Sequence, residues 1–119
     1  MCSGIIRKRK LIEGEKLMNA TELTINNFDA KTSDGRVLVS FWANWCGPCM
    51  ALYPTIDEVA AESGGRYTVG RVDVDKQGEL ASRFKVMSIP TAVVLDNGKE
   101  IKRFVGAERK DTYITALTS

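Results

Sequence analysis

The chain has no histidine among its 119 residues and only three cysteines. A structural zinc site takes four ligands, usually drawn from those two residue types. Cys2, Cys46 and Cys49 are the whole supply, so no metal is expected. Covalent haem attachment fails on the same ground, because Met50, not histidine, follows the second cysteine of the close pair. Long apolar runs are missing too, and none approaches the roughly 18 residues that span a bilayer. Nor does the start carry the apolar core of a secretory signal: Ile5-Ile6 runs straight into Arg7-Lys8-Arg9-Lys10. A cytoplasmic address away from membranes is the expectation.

Strong charge of one sign is also lacking. The formal net charge is +2, and Met1 to Leu17 holds five basic residues against two acidic ones. That leader carries +3, which leaves the remaining residues at −1. A body so balanced gives no electrostatic footprint for nucleic acid. Residues 1–17 read as a solvated basic tail or an expression-derived extension, with Met18 a candidate original start. Residues 18–119 read as one domain, long enough for a genuine core. Hydrophobic content of 44% and charged content of 27% are ordinary for a globular protein.

Strand and helix patterns alternate from Thr21 onward. Glu22–Ile25 predicts a short edge strand, and Asn26 or Asn27 offers an N-cap for a helical turn through Phe28, Ala30 and Lys31. Val37–Ala43 is almost continuously apolar, as in a strand buried on both faces, with Ser40 its one polar interior residue. Leu52, Ile56, Val59 and Ala60 make one face of an amphipathic helix ending near Ser63-Gly64-Gly65, with Pro54 expected to kink it. Tyr67–Val74 predicts a second core strand, Val72 and Val74 alternating against Arg71 and Asp73. A short helix around Leu80, Ala81 and Phe84 follows. Thr91–Leu95 and Glu100–Val105 then form a hairpin about Asn97-Gly98, and a helix with Tyr113, Ile114 and Leu117 closes the chain. The order is βαβαβαββα, an α/β fold with a central mixed sheet and helices on both faces.

Cys46 and Cys49 sit where that buried strand gives way to the amphipathic helix. A thiol attacks only as a thiolate. A helix N-terminus, with its unpaired N–H groups and positive dipole end, favours that negative charge. Pro48 suits the first turn, where no N–H is required of it, and Gly47 leaves room for a partner's backbone. Residues three apart on a helix share a face, so the pair can open and close with little backbone movement. As a permanent staple the pair has little value, because a disulfide enclosing two residues hardly constrains the unfolded chain. A working dithiol is the stronger reading.

The stretch "FWANWCGPC" resembles the thioredoxin active site, and the similarity runs from about Thr21 to Leu117. Pro54, "RVDVD" at Arg71–Asp75, "SIPT" at Ser88–Thr91 and "FVGA" at Phe104–Ala107 support it in order. A Cys-x-x-Cys alone is a weak signal; combined with Trp45 and the distant Ile-Pro-Thr it is specific. The resemblance implies a thioredoxin fold and a protein-disulfide reductase without cofactor. Cys46 would attack a client disulfide and Cys49 would resolve the mixed disulfide. Trp45, Ile89, Pro90 and Gly106 would form the client surface, Ile89-Pro90 would be cis, and Gly47 and Pro48 would support the pair. Read without the motif, Pro90 is a strand-start marker and Gly106 an ordinary turn, while Trp42 reads as core.

Two departures concern proton transfer. Most thioredoxins carry a buried aspartate where this chain has Ser40, and in the family that carboxylate lies behind the second cysteine. Serine does not titrate in the relevant range. Arg71 replaces the family's usual lysine and stays charged. Met50 is a third departure, since a basic residue is common there. The resemblance implies thioredoxin reductase or an equivalent electron donor, disulfide-bearing client proteins and a monomer. A disulfide oxidase or isomerase, and a thioredoxin-fold binding module in a larger assembly, are the alternatives. Cys2 lies outside the resemblance and reads as a bystander.

Overall fold

A computed structural model describes residues 19–119, so the leader and Cys2 lie outside the described residues. Strands β1 (Thr21–Glu22), β2 (Arg36–Trp42), β3 (Thr68–Asp73), β4 (Thr91–Asp96) and β5 (Lys99–Val105) form one sheet in the order β1-β3-β2-β4-β5. β1 and β2 each pair in parallel with β3, whereas β4 is antiparallel to both β2 and β5. Helices α1 (Phe28–Thr32), α2 (Gly47–Ala61), α3 (Gly78–Arg83) and α4 (Lys110–Thr118) complete the expected βαβαβαββα order. The sheet has a core on each face. Leu38, Val69 and Val94 pack under α2 and α4 with Ile56, Val59, Tyr113 and Leu117. Val39, Phe41, Val72 and Val93 pack against α1 and α3 with Phe28 and Leu80.

The central position of β2 follows from its composition. Every residue from Val37 to Phe41 is buried, so the strand must be flanked and covered on both sides. Asn97 (φ 52°) and Gly98 (φ 87°) both adopt the positive φ that a tight hairpin turn requires. α2 continues through Pro54, whose ring faces solvent.

Three local expectations are corrected. The first strand is Thr21–Glu22, shorter and earlier than Glu22–Ile25, and Leu23 leaves the sheet edge to fill the core. Asn27 takes the N-cap position of α1, but its side chain makes no capping hydrogen bond to the helix. Its Oδ1 instead accepts from the Thr24 N–H at 2.7 Å, an interaction that builds the preceding turn. In β3, Arg71 and Asp73 do not alternate outward, for both are buried with the valines. Their charges are satisfied internally, which the alternation of residue types does not reveal.

Candidate active site

β2 runs out at Trp42, and the chain turns through Ala43, Asn44 and Trp45 into Cys46, the N-cap of α2. The Cys46 N–H donates to the Ala43 carbonyl at 3.2 Å, closing that turn. Pro48 occupies the first helical turn without forfeiting an intrahelical bond. The Cys49 N–H then points back and donates to Cys46 Sγ at 3.2 Å. A sulfur therefore fills the place that a serine or aspartate oxygen usually takes at a cap. Any negative charge on that sulfur is stabilised by this N–H and by the positive end of a helix of 15 residues.

Cys46 and Cys49 are joined as a disulfide, with Cα atoms 5.2 Å apart. Both are buried as whole residues, Cys46 at 6% exposure and Cys49 at 2%. The flanking loop brings the second component. The Ile89-Pro90 bond is cis, and the Ile89 carbonyl oxygen lies 4.0 Å from Cys46 Sγ. Thr91 Oγ1 donates to the Ser88 carbonyl at 2.7 Å, holding the loop in shape. The Gly106 N–H donates to the Pro90 carbonyl at 2.8 Å. Gly106 has φ 95°, a backbone setting that other residues adopt only with strain. The pair, the cis-proline loop and the end of β5 thus converge on one surface.

Trp45 stands on that surface, 68% exposed. Its indole N–H donates to Asp75 Oδ2 at 2.7 Å, so the ring is held. Asp75 is in turn presented by a turn in which its own N–H donates to Asp73 Oδ1 at 2.9 Å. Sequence reasoning assigned Asp75 no part, although the Asp-x-Asp spacing inside "RVDVD" is a turn signal.

On the sheet face covered by α2 lie Ser40 and Arg71. They are partners in the β2–β3 ladder, and Ser40 also faces Ala92 of β4. Ser40 is 3% exposed, and among the described residues its hydroxyl has no protein hydrogen-bond partner. Arg71 reaches up to α2 instead. It donates to Asp57 Oδ1 at 2.9 Å and to the Tyr53 carbonyl at 2.7 Å, and its guanidinium lies 3.5 Å from the Tyr53 ring centroid. Planar, delocalised arginine suits this stacked and forked arrangement in a way lysine does not. Tyr53 meets Trp42 edge-on, with ring centroids 5.3 Å apart. Asp57 was absent from the sequence-derived site because its partner lies 14 residues further along the chain.

A cysteine pair closed as a disulfide at a helix cap beside a cis-proline loop, on the mixed sheet of an α/β fold, defines a thiol–disulfide oxidoreductase. The comparisons with known proteins make that specific. The thioredoxin family model matches residues 19–119. A thioredoxin from Staphylococcus aureus is 37% identical over 100 residues, spanning 84% of this chain and 96% of its own. A bifunctional thioredoxin reductase/thioredoxin from Mycobacterium leprae is 42% identical over 90 residues. That match spans 76% of this chain but only 20% of the larger protein. The solved structure of a mutant thioredoxin from Halobacterium salinarum superimposes with a TM-score of 0.78 at 30% identity, covering 87% of this chain and 94% of its own. The chain belongs to the thioredoxin family. Its activity is thioredoxin-like protein-disulfide reduction through the Cys46–Cys49 couple. The family generally works with thioredoxin reductase. Among the described residues, no helix is long and apolar enough to cross a membrane.

Proposed function

We propose the following division of labour. In the reduced protein the Cys46 thiolate attacks one sulfur of a client disulfide; the new Cys46–client bond forms as the client's own S–S bond breaks, and the departing sulfur takes a proton. Cys49 then loses its proton and attacks Cys46 Sγ. This closes the intramolecular disulfide and expels the second client sulfur as a thiolate. Two electrons pass to the client, and the protein is left in the oxidised state. The observation that carries the reading is the Cys49 N–H directed onto Cys46 Sγ at the α2 cap. It favours Cys46 as the thiolate and leaves Cys49, at 2% exposure, as the protected second partner.

Trp45, Ile89, Pro90 and Gly106 form the client surface in this proposal, Gly47 and Pro48 keep the cap open to approach, and the Ile89 backbone pairs with an extended client segment. Ser40 is a positioning residue. With its hydroxyl unpartnered on the face that α2 covers, it holds a water that receives the Cys49 proton. Arg71 supports the site by bracing α2 at Tyr53 and Asp57. Residues 18–119 are the working domain, and residues 1–17 are an appended basic segment. The protein acts as a cytoplasmic monomer, where dithiols are kept reduced. It is re-reduced there by a thioredoxin reductase or equivalent donor.

Insulin reduction by the dithiothreitol-primed protein tests the reading, with Cys46→Ser and Cys49→Ser as companions. Turnover is expected to vanish in Cys46→Ser, while Cys49→Ser accumulates a covalent client adduct. Full partner activity with both cysteines replaced would instead select the binding-module reading.

A further inference from the structure

Among the described residues six large apolar side chains are exposed: Ile25, Trp45, Met50, Met87, Ile101 and Val105. Four of these adjoin the redox pair or its neighbouring loops. Trp45 precedes Cys46, Met50 follows Cys49, Met87 enters the cis-proline loop, and Val105 pairs with Thr91 next to Pro90. Contiguous exposed apolar surface marks a place of contact. A client must bring its sulfur to Cys46 Sγ, so it meets this face.

A groove of about 390 Å³ opens beside the pair. Trp45 and Met87 stand along it with Val74, Ala81, Val86 and Ile89, and no lysine or arginine lines it. Ile89 connects it to the reacting sulfur, its carbonyl oxygen 4.0 Å from Cys46 Sγ. The Trp45 wall is fixed by the hydrogen bond to Asp75. The Met87 wall is free, because that side chain is 93% exposed and its burial contributes nothing to the fold. A long unbranched thioether in that position can lie over whatever enters the groove.

We infer that Met87 is a specificity-determining residue: with Trp45 it selects clients that carry an apolar side chain beside the reacting cysteine and disfavours those with a carboxylate there. An aliphatic or aromatic side chain between indole and thioether leaves water on both sides. A carboxylate would be desolvated in the same place with no cation to offset the loss. The inference rests on the reductase reading and adds the chemistry of the client.

Two disulfide peptides that differ only in leucine or glutamate next to the cysteine provide the probe. They are turned over at pH 7 by the wild type, Met87→Leu and Met87→Arg, and the ratio of kcat/KM is compared. Covering part of one side chain predicts a preference of about 5-fold for the leucine peptide in the wild type, expressed mainly in KM. Met87→Leu retains that ratio, and Met87→Arg brings it to one or inverts it. All three proteins reduce hydroxyethyl disulfide, which has no flanking side chain, at the same rate. An equal rate on both peptides in the wild type, or an unchanged ratio in Met87→Arg, overturns the inference. Insulin reduction run in parallel separates the layers. If the wild type leaves insulin intact, the reductase reading itself falls; if insulin is cleaved while the peptide ratio stays flat, only the specificity assignment does.

Discussion

Replacing Ser40 with aspartate probes the site at its most unusual point. The residue is 3% exposed and lies in register with Arg71. That cation does not stand free to receive a new carboxylate, because Asp57 and the Tyr53 carbonyl already occupy its donors. Burial would therefore dominate and raise the introduced carboxyl by about 3 pH units above its ordinary range. Each unit corresponds to about 1.4 kcal/mol, so the charged form costs about 4 kcal/mol in the folded state. The sign follows from an acid whose folded value lies above its unfolded one. The penalty is absent below the ordinary carboxylate range, grows as pH rises, and is complete above the raised folded value. Urea unfolding should thus show Ser40→Asp close to wild type near pH 4 and about 4 kcal/mol weaker at pH 8. Kinetics should move the opposite way. In the wild type, with water accepting the Cys49 proton, the resolving step should accelerate steadily from pH 6 to 9. In Ser40→Asp it should be faster at neutral pH and level off once the carboxyl has ionised. A positioned base contributes about 10²–10⁴-fold, so even the lower figure is readily seen by stopped flow. Equal resolving rates with the same pH profile in both proteins would refute the role given to Ser40.

Two further outcomes concern the scaffold. A Cβ at Gly70 would lie 2.7 Å from Leu23 Cγ, so Gly70→Ala must displace Leu23 from the core; a loss of about 1–3 kcal/mol is expected in denaturant titration, while Gly47→Ala, whose Cβ meets nothing within 4 Å, should be far milder. Asp57→Asn leaves the Arg71 guanidinium, its side chain 7% exposed, without a counter-charge; about 2 kcal/mol of stability should be lost, between the values for exposed and fully buried pairs, with the loss smaller in Asp57→Glu.

The sheet was legible because its signals are local. Three largely apolar runs (Val37–Ala43, Tyr67–Val74 and Thr91–Leu95), the Asn97-Gly98 turn and the Leu52–Ala60 periodicity each declare an element within about ten residues. The redox pair was legible for the same reason, as Cys46, Gly47, Pro48 and Cys49 are contiguous. What escaped were interactions between segments. Arg71 and Asp73 look like an outward-facing polar set until Asp57 and the following turn are folded against them. Asp75 reaches Trp45 across a separation of 30 residues, and nothing in either neighbourhood announces it. Charge in a strand is read as exposure by default; a buried cation appears only when its partner is placed in space.

The position of β2 has a consequence for how the molecule breathes. Its amides are locked between β3 on one side and β4 on the other, so their hydrogens should exchange with solvent only when the whole domain opens. A few residues later Asn44, Trp45 and Gly47 are exposed residues outside the sheet. The attacking sulfur sits on that boundary, between a strand paired on both sides and the first turn of α2. Deuterium uptake should therefore change abruptly between Trp42 and Gly47, and reduction of the disulfide should quicken exchange only on the Gly47 side.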